Sequence, residues 1–89
     1  MVEVVRIVSG GEAWEAELKI REGVYRIDAY TVRLERVPLP PNGLDAEEQR
    51  RRVARFVERQ ITRHLRRGSL PPRATRLDGS EVWASADAE

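Results

Sequence analysis

One segment, residues 13–21, constrains the fold of this chain more than any other. Apolar and charged side chains alternate without interruption over residues 14–21, and the apolar members are Trp14, Ala16, Leu18 and Ile20. Successive side chains of a β-strand point to opposite faces of the sheet, so strict alternation is typical of a half-buried strand. The segment therefore predicts a strand with one buried face and one solvated face.

Two further strand-like runs flank this segment. Residues 2–8 are rich in β-branched side chains and end at a Ser-Gly-Gly turn. Residues 24–37 follow a Glu-Gly turn, and the parity of their apolar side chains changes near Ala29 and Tyr30. Such a change is typical of a β-bulge, or of a strand that is buried on both sides. Three runs joined by short turns predict a three-stranded antiparallel meander.

After the third run the pattern changes to that of a helix. The prolines of residues 38–41 cannot continue a sheet, because each proline removes a hydrogen-bond donor from the ladder. Asp45 suits the N-cap of a helix over residues 46–67, and Gly68 suits its end. Beyond the helix, two short half-apolar runs flank the Asp-Gly-Ser of residues 78–80, which is typical of a β-hairpin.

These elements predict an α+β fold in the order β-β-β-α-β. A three-stranded antiparallel meander carries one long amphipathic helix packed on it, and a short C-terminal strand or hairpin follows. The 89 residues suffice for one domain with a modest core, which we expect over residues 1–84. Residues 85–89 are small and polar, and we expect them to form a frayed tail.

Composition argues against several kinds of chemistry. The chain has no cysteine and one histidine, which excludes disulfides, thiolate zinc sites and cysteine nucleophiles. His64 falls on the apolar face of the predicted helix, and no serine lies in a nucleophile-elbow context. We therefore expect no enzymatic activity, and no catalytic, cofactor-binding or metal-binding residues. Without an apolar run long enough for a membrane span or a signal peptide, we expect a cytoplasmic protein that contacts no membrane.

The predicted helix concentrates the positive charge of the chain. Residues 45–67 hold eight arginines against four acids. On a helical wheel, one arc carries arginines at successive i,i+4 positions, where like charges repel. We call this arc the arginine face; it comprises the candidate anion or partner contacts Arg51, Arg52, Arg55, Arg59, Arg63 and Arg66. Either an anionic partner lies along this face, or the face is solvated and the codon usage of a GC-rich or thermophilic source favours arginine.

Apolar side chains of both parities in the outer strands indicate a sheet with two apolar faces. One helix covers one face, and monomers rarely leave a large apolar patch exposed. We therefore expect a homodimer, formed through the second face or through an edge strand. The candidate dimer face comprises Tyr30, Val32 and Leu34. Alternatively, the proline segment and the C-terminal hairpin fold over that face.

The order of the elements resembles the fold of HicB-type antitoxins. The segment Asp45-Ala46-Glu47-Glu48 is similar to the helix start of that family, and residues 68–72 are similar to its helix end. Residues 38–41 read Pro-Leu-Pro-Pro and depart from the family's proline-leucine-proline-glycine stretch. The resemblance implies a small protein that masks a toxin nuclease. The β-β-β-α order is also similar to the core of double-stranded-RNA-binding domains, although two glutamates replace their lysine-rich helix start.

Two functions follow as hypotheses. The favoured one is a small non-enzymatic protein-interaction module, such as a homodimeric regulatory or adaptor protein. The alternative is a nucleic-acid-binding protein that uses the arginine face. Salt dependence separates the two, because phosphate binding weakens steeply as the salt concentration rises, whereas an apolar protein interface hardly changes.

Overall fold

A computed structural model describes residues 1–68 and 75–87, without the side chains of residues 85–87. Its elements are β1 (Val2–Gly10), β2 (Ala13–Glu22), β3 (Tyr25–Glu35), α1 (Ala46–Arg66), β4 (Thr75–Asp78) and α2 (Val82–Asp87). The strands form one sheet in the order β1-β2-β3-β4, and its neighbours are antiparallel except for the parallel pair β3–β4. The predicted α+β fold, with its meander, long helix and short C-terminal strand, is confirmed.

A register shift between β2 and β3 decides which side chains of β3 face the helix. Leu18 lies opposite Tyr30, but two residues further along β2, Ile20 lies opposite Ile27. β3 therefore contains one extra residue, and the β-bulge predicted from the change of parity near Ala29 is confirmed. Because a one-residue bulge reverses the parity of a strand, Ile27 and Tyr30 point to the same face.

A second shift lies in β1. Val4 pairs with Leu18, whereas Arg6 pairs with Glu17, so β1 also carries an extra residue. The apolar side chains before and after this shift consequently face the same side of the sheet. Val4 and Ile7 are both half-buried and pack against the core.

Most apolar side chains of the three long strands therefore share the face that α1 covers, whereas Val5 and Val8 of β1 are about half exposed. Tyr30, Val32 and Leu34 are at most 1% exposed and belong to the core of a single chain. They do not form the exposed dimer face expected from the sequence, because the bulge turns them inward. The buried core comprises Trp14, Ala16, Leu18, Ile20, Tyr30, Val32, Leu34, Val37, Val53, Phe56, Val57, Ile61, Val82 and Trp83.

The opposite face of the sheet carries ion pairs. Arg33 lies between the carboxylates of Glu15, at 3.6 Å, and Glu35, at 3.1 Å. Arg21 of β2 pairs with Asp28 of β3. The mixed parity of the outer strands thus results from two bulges, and it does not produce a second apolar face.

α1 begins and ends close to the predicted residues. The Asp45 carboxylate accepts a hydrogen bond from the Glu48 backbone N–H at 2.8 Å, as an N-cap side chain does. Gly68, just beyond the last turn, has a φ of 66°, a conformation that glycine adopts without strain. Phe56 of α1 is 3% exposed and packs in the core.

The C-terminal segment differs from the hairpin alternative. β4 runs parallel to β3, with Leu77 opposite Leu34, and α2 follows where a second hairpin strand was expected. Val82 and Trp83 are buried, and the Trp83 indole N–H donates to the Pro38 carbonyl at 2.9 Å. In α2 both apolar side chains lie in the core, and their removal from water stabilises the fold.

Part of the predicted C-terminal organisation lies outside the described residues. The prolines at 71 and 72, which were expected to follow the helix end, belong to the undescribed stretch 69–74. α2 extends to Asp87 and so includes three residues of the expected frayed tail. Residues 88–89 of that tail are not described.

Candidate functional site

α1 carries the whole arginine face, but the two ends of this face differ in their partners. At the start of the helix, Arg51 pairs with Glu47 at 3.6 Å and with Glu48 at 2.7 Å. Arg52 pairs with Glu48 at 3.1 Å. The acids of the first turn therefore neutralise the N-terminal end of the arginine face.

The other end of the arginine face borders a surface groove of about 400 Å³, which we call the arginine groove. Its lining comprises Val2, Arg55, Glu58, Arg59, Thr62, Arg63 and Arg66. Four guanidinium groups share this groove with one carboxylate, so it is cationic. Arg55 and Arg63 are exposed, and their guanidinium groups form no hydrogen bond or ion pair within the described part of the chain.

Arg66 also interacts electrostatically with Glu22, which pairs with the N-terminus of the chain. The N-terminal ammonium forms a salt bridge with the Glu22 carboxylate. Hydrogen bonding to this ammonium, together with its charge, holds the pKa of Glu22 below its usual range, and the charge of Arg66 acts in the same direction. The positive charge of Arg66 is thus partly balanced within the chain.

The arginine groove adjoins an open edge of the sheet. Among the described residues, β1 is an edge strand of nine residues, whereas β4 at the opposite edge has four. Antiparallel strands alternate between residues that bond to the neighbouring strand and residues whose backbone groups point away from it. Met1 exchanges hydrogen bonds with Arg21 at one end of β1, and the two-residue turn closes at Gly10 and Ala13 at the other. Counted from these two ends, the residues whose backbone N–H and C=O groups point away from β2 are Val2, Val4, Ile7 and Ser9.

One of these outward groups bonds to α1. The Val4 backbone N–H donates to Glu58 Oε2 at 3.1 Å, and this bond ties the edge of the sheet to the helix. Beyond it lies a second groove of about 440 Å³, which we call the edge groove. Its lining comprises Val4, Val5, Arg6, Ile7, Glu47, Arg50, Arg51 and Ala54. The edge of β1 therefore has one groove beside each of its halves.

The one histidine and two of the serines lie apart from these grooves or at their margin. His64 is half-buried on α1, and Ser80 is exposed in the turn before α2. Ser9 is exposed at the end of β1. Within residues 1–68 and 75–87, no three His, Cys, Asp or Glu side chains come together as a potential metal site.

Sequence reasoning did not identify β1 as the open edge, and it missed two helix residues beside it. Arg50 lines the edge groove, and Glu58 bonds to the edge itself. The position of β1 at the edge depends on strand order, which no local pattern encodes. Glu58 did offer a signal, because it is the one acid of the predicted helix beyond the first turn.

Comparisons with protein-family models, curated protein sequences and solved structures find no match to this chain. The resemblance to HicB-type antitoxins therefore rests on the order and the ends of the elements, and it assigns no family. In the described part of the chain, neither helix combines the length and apolarity that crossing a membrane requires. The geometry of β1 and α1 is the basis for the functional proposal.

Proposed function

We propose that this chain is a small non-enzymatic protein-interaction module, a regulatory or adaptor protein that binds an extended segment of a partner protein along the edge of β1. One observation carries this proposal: a nine-residue edge strand with outward-pointing backbone groups. Natural proteins usually shorten, charge or cover such edges, because an unpaired edge is a template for another strand. β4 is short in this way, whereas β1 is not.

The half of β1 beyond Glu58 is the better docking surface. Val5 and Val8 are about half exposed there, and Ile7 and Ser9 direct backbone groups outward. A partner strand would gain main-chain hydrogen bonds from the edge and cross-strand contacts from the valine side chains. Such an interaction needs no nucleophile, metal or cofactor.

A second copy of this chain is another possible strand for the same edge. The homodimer expected from the sequence stays a prediction, but its basis changes. Tyr30, Val32 and Leu34 lie in the core, so an interface between copies would use β1.

Nucleic-acid binding through the arginine face stays the alternative, and the arginine groove favours it. Proteins that bind single strands combine a basic groove with aromatic side chains on which bases stack. The lining of the arginine groove contains no aromatic residue, and it includes the carboxylate of Glu58. This lining supports ion pairing better than base stacking, which is why we place protein binding first.

A proline at position 9 tests the proposal. In Ser9→Pro the proline ring replaces a backbone N–H that points away from β2, so the β1–β2 hydrogen bonds stay in place. Ser9→Ala, which keeps this N–H, is the matched control. The probes are three labelled peptides of about ten residues, long enough to cover β1, in which valine alternates with glutamate, glutamine or lysine. We expect at least one peptide to bind the control, and to bind Ser9→Pro about tenfold more weakly, because a hydrogen bond is lost and the ring obstructs pairing.

Fluorescence anisotropy measures the affinities, and hydrogen exchange shows whether the Ile7 amide becomes protected on binding. If no peptide binds, or if both variants bind alike, the edge is not a docking site and the proposal is wrong. Light scattering of the free protein tests the homodimer. A particle of about twice 10.2 kDa that Ser9→Pro converts to monomer would identify a second copy as the bound strand.

A further inference from the structure

The charge beside β1 indicates what kind of segment this edge accepts. In the edge groove, Arg6, Arg50 and Arg51 outnumber the one acid, Glu47. In the arginine groove, four arginines outnumber Glu58. Both halves of the edge therefore have an excess of positive charge.

The geometry of a sheet directs an added strand toward this charge. Val4 and Ile7 pair with the buried residues Leu18 and Ala16, so their side chains point to the face that α1 covers. In an added strand, every second side chain points to that same face. Those side chains come to lie beside the flank of α1, whose arginines share grooves with β1.

The arginines differ in their capacity to receive a partner. Arg51 is already held by Glu47 and Glu48, whereas the guanidinium groups of Arg55 and Arg63 have no bonded partner among the described residues. A guanidinium group binds a carboxylate through two parallel hydrogen bonds, which adds geometric specificity to the charge attraction. In the arginine groove, beside the Val2 end of β1, Arg55 and Arg63 are thus the residues best placed to gain from a carboxylate of a segment that covers the whole strand.

The same charge disfavours a second copy as the bound strand. Antiparallel pairing of β1 with the β1 of another copy places both α1 helices on one face of a continuous sheet. The cationic grooves of the two copies would then face each other, and like charges across an interface suppress association. A segment of opposite charge carries no such cost.

From these observations we infer that the segment bound by β1 is acidic, with carboxylates at alternate positions that pair with the arginines of α1. This inference rests on the proposed function, because it takes strand addition at β1 as given. It names the chemistry of the partner: an extended, acidic peptide segment of another protein.

The three peptides described above test the inference when they are combined with helix variants. Arg55→Gln together with Arg63→Gln removes two charges and keeps the side-chain length. Arg76→Gln on β4, at the opposite edge of the sheet, is the matched control. We expect the glutamate peptide to bind more tightly than the glutamine peptide, and the lysine peptide to bind least. The double variant should bind the glutamate peptide about fivefold more weakly, since exposed ion pairs each contribute modestly to affinity.

Affinity for the glutamine peptide reports whether the edge itself is intact, so it should stay unchanged in every arginine variant. If the glutamate and glutamine peptides bind equally well and Ser9→Pro still weakens both, the acidic inference is wrong and the proposed function stands. If none binds, the proposed function is wrong as well. Tighter binding of a single-stranded DNA of about twenty nucleotides at the same salt concentration would identify a phosphate backbone as the ligand and overturn the inference. A homodimer that Ser9→Pro dissociates would also overturn it.

Discussion

At the scale of single residues, Gly79 has less room than any other described glycine. It is buried in the turn between β4 and α2, and a Cβ there would lie 2.8 Å from both Leu34 Cγ and Val37 Cγ2. Its backbone N–H donates to the Glu35 carbonyl at 2.6 Å, which holds the turn close to the end of β3. The Asp-Gly-Ser sequence therefore serves a close approach between two elements, in place of the hairpin turn that it suggested.

Gly79→Ala should lower the free energy of unfolding by about 1–3 kcal/mol, the usual cost of forcing extra volume into a packed site. Urea denaturation measures the change. Glu81→Ala, an exposed position two residues further on, is the control and should change stability by less than about 0.5 kcal/mol. An equally small effect of Gly79→Ala would show that the turn has room for a methyl group.

At the scale of elements, α1 has a buried face that packs on the sheet and an exposed face that carries arginines. One face buries Val53, Val57 and Ile61 against the sheet. On the exposed side, Arg55 and Arg63 each lie four residues from Arg59, so the helix retains repulsive i,i+4 neighbours. A helix selected for stability alone would alternate charges there. The repulsion between these arginines lowers the stability of the helix, which is consistent with the proposal that this face binds a partner.

Arg55→Glu should raise the stability of the fold and weaken the binding of an acidic segment. The new carboxylate attracts Arg51 and Arg59, so the free energy of unfolding should rise by about 0.3–1 kcal/mol at low salt, and high salt should remove the gain. Binding of the glutamate peptide should weaken in the same variant. Thermal melts and anisotropy measure the two effects, and Arg76→Glu, which lies off the helix, is the control. A less stable Arg55→Glu would show that acids of the same chain already pair with Arg55.

At the scale of the whole molecule, exposed carboxylates join segments that are distant in sequence or lie at strand ends. The Asp78 carboxylate accepts a hydrogen bond from the Ser80 backbone N–H at 2.9 Å and pairs with Arg36 at 3.0 Å. The hydrogen bond to Ser80, and next to it the charge of Arg36, hold the pKa of Asp78 below its usual range. The Arg21 guanidinium holds the pKa of Asp28 low in the same way.

These lowered pKa values predict how stability depends on pH. A carboxyl group whose pKa is lower in the folded chain than in the unfolded chain stabilises the fold fully above the unfolded pKa, and it loses this contribution as the pH falls through the folded pKa. The Tm should therefore be steady from neutral pH down to pH 5 or so, and decline below the usual carboxyl values of 3.8 for Asp and 4.5 for Glu. Asp78→Asn should make this decline shallower, while a Tm that rises on acidification would contradict the assignment.

Local signals in the sequence predicted most of the elements. The alternation of residues 13–21, the Asp45 cap and the Gly68 end each depend on a few neighbouring residues, and the structure confirms them. The change of parity near Ala29 predicted a bulge, because parity along one strand is also a local property. At the site, the same local reasoning identified the arginines of α1 as one face.

Only the tertiary structure decided what the two bulges do and where each element lies. Whether Tyr30, Val32 and Leu34 face the helix or a partner depends on register with β2, and the direction of β4 depends on its pairing with β3. The contact of Glu58 with the edge of β1 joins residues 54 positions apart. Periodicity and capping act over a few residues, whereas strand order and register arise from contacts between distant segments. For this reason the sequence by itself determined the elements and the arginine face, and the fold alone placed that face beside an open strand.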